Sequence, residues 1–257
     1  MKLCVTGSIA TDHLMTFAGK FADSLIEEQL DKLSVSFLVD DLQVRRGGVA
    51  ANIAFSLGRF GLDPILVGAV GLDFTDYRSW LVRHGVDVES IHESSVAHTA
   101  RFVCTTDSAS NQIASFYPGA MSEARDIELG PIQDRVGHLD LVVVSPNDPA
   151  AMLRHTEECR ERGIPFAADP SQQLSFMEGE DIRQLINGAA YLFTNEYEAA
   201  LTEQKTGWSA QEVLDRVGTR VTTRGAAGSI IESAGAEPIE VPVVPISGVV
   251  DPTGVGD

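Results

Sequence analysis

The chain has 257 residues, 44% of them apolar, and a formal charge of -18: long enough to bury a full core in one large domain, and too acidic to favour nucleic acid or anionic membrane. Its three cysteines, Cys4, Cys104 and Cys159, cannot all pair and have no metal-ligand spacing, which argues against a disulfide framework or zinc site and suits a reducing cytosol. The N-terminal apolar run is too short for a signal peptide and nowhere do about 18 apolar residues follow one another, so a soluble, cytoplasmic protein with no membrane partner is expected.

Residues 3–7 form a short apolar run closed by a glycine, the pattern of a buried strand whose carboxyl end opens into a loop carrying Ser8 and Asp12. Open α/β sheets bind ligands at that end, although an Asp there also serves as a plain turn residue. Residues 22–33 have helical composition, 34–39 alternate like a strand, Asp40 and Asp41 interrupt, and 42–46 resume an extended pattern that Gly47 and Gly48 end. From Val49 the spacing of Ile53, Leu57 and Phe60 predicts a helical apolar face closed by Gly61. Gly47 and Gly48 thus stand at a strand-to-helix junction, with Asn52 one turn inside the helix. The junction is either a plain joint with Asn52 on an exposed face, or a hinge that brings the Gly48 backbone and the Asn52 amide against ligand hydroxyls.

Residues 64–71 read as a strand and 73–84 as an amphipathic helix with Trp80 and Leu81, stopped by Gly85. Two extended runs, 99–105 and 112–117, joined by a polar tip at 107–111, read as a hairpin. With 35–39 and 42–46 they do not alternate with helices, which predicts a small separate sheet that covers a ligand or pairs with another subunit. Phe102 and Phe116 lie on it, either as core aromatics or as platforms for a flat ligand ring, which a plain sugar lacks.

The second half alternates: strand 139–145, helix 150–162 closed by Gly163, strand 165–168, helix 180–187, strand 191–194. This predicts an α/β protein with a mostly parallel central sheet flanked by helices. Asn195 and Glu198, just past a strand end, are one helical turn apart. They are either a capping box or a site where Glu198 holds hydrated Mg2+ near phosphates. The run 219–225 reads as a strand that enters the turn 225–228, which either admits nucleotide backbone-close or bends a hairpin toward 229–232 and 239–244. Neither a Walker sequence nor a G-x-G-x-x-G after the first strand is present.

The stretch DPTGVGD at 251–257 carries the chemistry. Gly254 and Gly256 let backbone amides turn toward an anion, and a carboxylate beside such a nest suits proton removal from a hydroxyl that attacks a phosphate. The plain alternative is a Gly-rich turn whose Asp caps a helix.

On GGVAAN at 47–52 and DPTGVGD at 251–257, the chain resembles the PfkB family of carbohydrate kinases, with the ribokinase-like fold. On TGSIATDH at 6–13, SVSFLVDD at 34–41, IASFYPGAMSEAR at 113–125 and ADPSQQ at 168–173 it is similar, within that family, to the bacterial, mycobacterial-type adenosine kinases. The resemblance implies ATP-dependent phosphorylation of the 5′-hydroxyl of adenosine to AMP, in purine salvage, with Asp257 as base and the Gly254 and Gly256 backbone as anion hole. It places Ser8, Asp12, Ser36, Gly48, Asn52, Gln172 and Gln173 at nucleoside-binding positions, with Phe102 and Phe116 against the adenine. Asn195, Thr223, Gly225, Gly228 and Gly256 fall at ATP positions and Glu198 at a magnesium position; potassium activation is also implied. One domain, 1–257, is expected, with a lid from segments near 13–20, 34–46 and 97–118 that forms a homodimer interface. Family members continue past the second signature as a helix, so the chain reads as C-terminally truncated. A ribose or fructose kinase of the same fold, and an inactive nucleoside-binding dimer, are the alternatives.

Overall fold

The computed structural model describes residues 1–24 and 34–245. Gly254, Gly256, Asp257 and most of the helix expected at 22–33 lie outside those residues.

In chain order the elements are β1 (Leu3–Thr6), β2 (Ala10–Thr16), a 3-10 turn (Phe21–Ser24), β3 (Asp41–Gly47), α1 (Val49–Arg59), β4 (Ile65–Val70), α2 (Thr75–Arg83), β5 (Ile91–Glu93), β6 (Ala100–Thr106) and β7 (Gln112–Tyr117). A 3-10 segment (Gly119–Asp126) leads to α3 (Leu129–Val136), β8 (Leu141–Val144), α4 (Pro149–Arg162), β9 (Phe166–Ala168) and, after a 3-10 turn (Ser171–Ser175), α5 (Gly179–Ile186). Then come β10 (Tyr191–Asn195), α6 (Glu196–Thr206), α7 (Ala210–Leu214), β11 (Thr219–Thr223), β12 (Ser229–Ser233) and β13 (Ile239–Val241).

The larger sheet has the order β13-β12-β11-β10-β9-β8-β1-β4-β5. It is parallel from β5 to β11, and the last two strands are antiparallel. Its central strands are short, mainly apolar runs because both faces are covered. Within β1, Cys4 points into a core built with Ile65, Val142 and Met152, while the next residue, Val5, points into a second core with Ala50, Leu66 and Phe74. The smaller sheet, β3-β2-β6-β7, is mixed: β2 and β6 run parallel, and the two outer pairs antiparallel. Among the described residues no helix is long and apolar enough to cross a membrane.

Several sequence expectations change. Asp12 lies within strand β2, not in a loop. Residues 34–39 form no strand; Phe37 instead joins a ring cluster, 5.0 Å from Phe17 and 4.8 Å from Phe21 between centroids. The alternating pattern there serves aromatic packing rather than a ladder. The buried face of α1 consists of Ala50, Ala51 and Ala54, with Ile53 and Leu57 only partly covered and Phe60 80% exposed. Small residues let the helix lie close on the sheet.

Candidate active site

The first part of the site is built where β1, the smaller sheet and α1 meet. Gly48 has φ +95°, and a Cβ on it would lie 2.6 Å from the Ala10 nitrogen and the Ser8 carbonyl oxygen, so only glycine turns this corner. The Ser8 hydroxyl accepts a hydrogen bond from the Val49 N–H at 3.0 Å, tying the loop after β1 to the first turn of α1. Asn52 sits one turn further on, its N–H donating to the Gly48 carbonyl at 3.0 Å. The Asp12 carboxylate reaches the same corner: a Cβ on Gly47 would come within 2.7 Å of its Oδ2.

Strand register brings the aromatic pair to this corner. Arg45, Asp12, Phe102 and Phe116 are direct neighbours across the four strands of the smaller sheet, and opposed residues share a face. Neither phenylalanine belongs to a core cluster; Phe102 is half-buried and Phe116 is 52% exposed. The core alternative for these rings therefore fails. Ser36 is exposed on the irregular stretch after residue 33, and no strand pairing fixes it beside the others.

A groove of about 460 Å³ continues from Val49, at the start of α1, to the carboxyl ends of β9, β10 and β11. Apolar side chains of Leu3, Ile53, Leu57, Leu141, Val143 and Phe193 line one part; Asp169, Ser171, Asn195, Glu198 and Thr223 line the other. Asn195 caps α6, accepting from the Glu198 N–H at 2.8 Å while Glu198 Oε2 accepts from the Asn195 N–H at 2.8 Å. The capping box is thus present, and the same carboxylate lines the groove. Gln172 is exposed and accepts from the Ser171 hydroxyl at 2.7 Å; Gln173 is half-buried on the same turn.

The two glycines of the 225–228 turn separate. The turn joins the antiparallel strands β11 and β12, so the hairpin reading holds. Gly228 is required by packing, since a Cβ on it would lie 2.0 Å from the Val241 carbonyl oxygen. Gly225 faces open space at φ +54°.

Two polar residues were missed from the sequence. Asn147, just past β8, is 1% exposed; its Oδ1 accepts from the Asp148 N–H at 2.9 Å, and its Nδ2 has no partner among the described residues. That acceptor role assigns the amide orientation and leaves the NH2 as a buried, unused donor. Its neighbour Pro146 accepts from the Ser8 N–H at 2.9 Å, which places Asn147 beside the first part of the site. Thr194 lines the groove, and its buried hydroxyl likewise lacks a partner among the described residues. The signal for both was their place at a strand's carboxyl end.

Among the described residues no cluster of three or more His, Cys, Asp or Glu stands ready to hold a metal. The groove's carboxylates are Asp169 and Glu198, a donor set of the size that magnesium carried on substrate phosphates would use.

Comparison with known proteins agrees with this fold. The profile of the pfkB family of carbohydrate kinases matches residues 9–257. A nucleoside kinase of Methanothermobacter thermautotrophicus is 31% identical over 90% of this chain and 74% of its own length. One of Methanocaldococcus jannaschii is 25% identical over all of this chain and 80% of its own. The structure of Burkholderia thailandensis nucleoside kinase in complex with inosine, 34% identical, superposes over 99% of this chain and 80% of its own with a TM-score of 0.84. With the parallel sheet, the glycine corner and the small second sheet in place, the chain belongs to the pfkB family of carbohydrate kinases.

Proposed function

We propose that this protein is an ATP-dependent nucleoside kinase that phosphorylates the 5′-hydroxyl of a purine nucleoside, with adenosine as its preferred substrate. The observation that carries the reading is the convergence of Ser8, Asp12, Gly48 and Asn52 on one corner, with Phe102 and Phe116 on the same sheet face as Asp12. A carboxylate and an amide suit paired ribose hydroxyls, and half-exposed rings suit a purine face. A bare sugar would leave those rings idle.

In this reading Asp257 takes the proton from the attacking hydroxyl and the Gly254 and Gly256 amides hold the transferring phosphoryl oxygens. Asn195, Thr223 and Gly225 would hold ATP, and Glu198 would hold hydrated magnesium, whose chemistry there would be neutralisation of phosphate charge. The opposite face of the smaller sheet exposes Leu42 (54%), Val44 (58%), Ile113 (48%) and Tyr117 (46%), which supports pairing of two copies through that sheet.

The Burkholderia thailandensis relative is in complex with inosine, so inosine is the competitor against which the preference for adenosine is read. A coupled ADP-release assay with adenosine, inosine, guanosine, ribose and fructose, run in potassium and in sodium, tests the proposal. Turnover of nucleosides well above both sugars is expected; faster turnover of ribose or fructose refutes it. Asp257→Asn abolishes turnover and leaves nucleoside affinity largely intact, whereas equal loss of both removes Asp257 from the base role.

A further inference from the structure

The smaller sheet joins the rest of the protein at the roots of its strands, and two roots are held by one stripe of side chains. Tyr77 and Trp80, three residues apart, share a face of α2, and Asp73 stands in the turn just before that helix. Asp73 holds the root of β6: Oδ1 accepts from the Thr99 N–H at 2.8 Å and Oδ2 from Arg101 Nη2 at 2.7 Å. Tyr77 holds the root of β3, its hydroxyl donating to the Gly47 carbonyl oxygen at 3.0 Å in a site where the residue is 5% exposed. Arg46, one residue before that carbonyl, lies over the rings of Trp80 and Tyr77 at 5.1 and 5.9 Å from their centroids. The helix is itself rigidly seated, with Phe74 and Leu81 wholly buried.

The clamped peptide is the one that matters for the site. A Cβ on Gly47 would crowd the Asp12 carboxylate, and Gly47 precedes the left-handed Gly48 corner. A carbonyl pinned by a buried phenol cannot rotate without breaking that bond, so the stripe fixes the angle between the smaller sheet and α1. That angle sets where Asp12, Phe102 and Phe116 stand relative to Ser8 and Asn52.

We infer that Asp73, Tyr77 and Trp80 are positioning residues that hold the smaller sheet at its working angle and thereby set the KM for the nucleoside, not for ATP. The inference rests on the nucleoside-kinase reading for its kinetic part only. The test uses Tyr77→Phe, Asp73→Asn, Trp80→Ala and the conservative Trp80→Phe in the full chain, with KM for nucleoside, KM for ATP and amide hydrogen exchange as readouts. Tyr77→Phe should raise the nucleoside KM roughly tenfold, the value of one lost hydrogen bond, with the ATP KM unchanged. Exchange should quicken in β3 and β6 while β1, β4 and β8 keep their protection, and Trp80→Phe should restore much of what Trp80→Ala loses. An unchanged nucleoside KM, parallel rises in both KM values, or faster exchange spread over both sheets overturns the inference. If the wild-type protein turns over no nucleoside, the functional reading fails instead, and the exchange pattern alone decides whether the clamp exists.

Discussion

His155 shows how a single buried polar residue couples the fold to pH. It is fully buried, with Nδ1 2.8 Å from the Thr6 hydroxyl and Nε2 3.0 Å from the Ile127 carbonyl oxygen. The carbonyl can only accept, so Nε2 carries the proton and Nδ1 accepts from Thr6. Burial holds the ring below its usual titration range, so the unfolded chain binds a proton near pH 6.5 that the folded one resists. The stabilisation is complete above that pH and declines as pH falls through it; Tm should be lower at pH 5.5 than at 7.5, and His155→Gln should flatten the difference. Asp107, at the tip between β6 and β7, titrates in a separate window. Burial by itself would raise its carboxyl, but donors from the Asn111 side chain and the backbone of Phe21, Asn111 and Ala109 outweigh it and bring it to about 2. Its contribution is present above about pH 4, the unfolded value, and is lost only as pH drops toward the folded one. For Asn147, replacement by Ala removes the unused donor. It also leaves the buried Asp148 N–H without its acceptor, so Asn147→Ala should cost about 1–3 kcal/mol of stability, measured as a lower Tm by calorimetry.

Elements carry the site through their ends. α1 begins at a corner only glycine can turn, and Gly48→Ala should cost about 2 kcal/mol or more, from left-handed strain plus a displaced Ser8–Ala10 backbone. Urea unfolding measures the cost, and nucleoside binding should fall with it. α6 begins at a capping box, so Asn195→Ala should lose about 1 kcal/mol of stability. A rise in the KM for ATP beyond that loss would show that the amide also meets the nucleotide. Helix starts and stops were well marked in the sequence: Gly163 ends α4 in the left-handed conformation, and Asn195 with Glu198 opens α6. Residues 34–39 were not legible, because alternation predicts a face to bury without saying whether a partner strand or a ring cluster buries it.

On the scale of the molecule, the two sheets divide the work. The larger one presents a row of carboxyl ends, and the smaller one turns one face toward Asp12 and leaves the other, with Leu42, Val44 and Ile113, exposed. If copies pair through that exposed face, Val44→Lys should convert a dimer to a monomer in sedimentation while leaving the nucleoside-facing row in place. The sequence alone determined the α/β alternation, the glycine junction at Gly47 and Gly48, the residues gathered past strand ends and the family resemblance, since these depend on residues close together in the chain or on motifs read as they stand. Only the tertiary structure decided that Phe102 and Phe116 share a face with Asp12, that Tyr77 grips Gly47 and that Asn147 Nδ2 is buried without a partner among the described residues. Those facts arise from strand register and packing between segments far apart in the chain, where a shift of one residue would send every side chain to the opposite face.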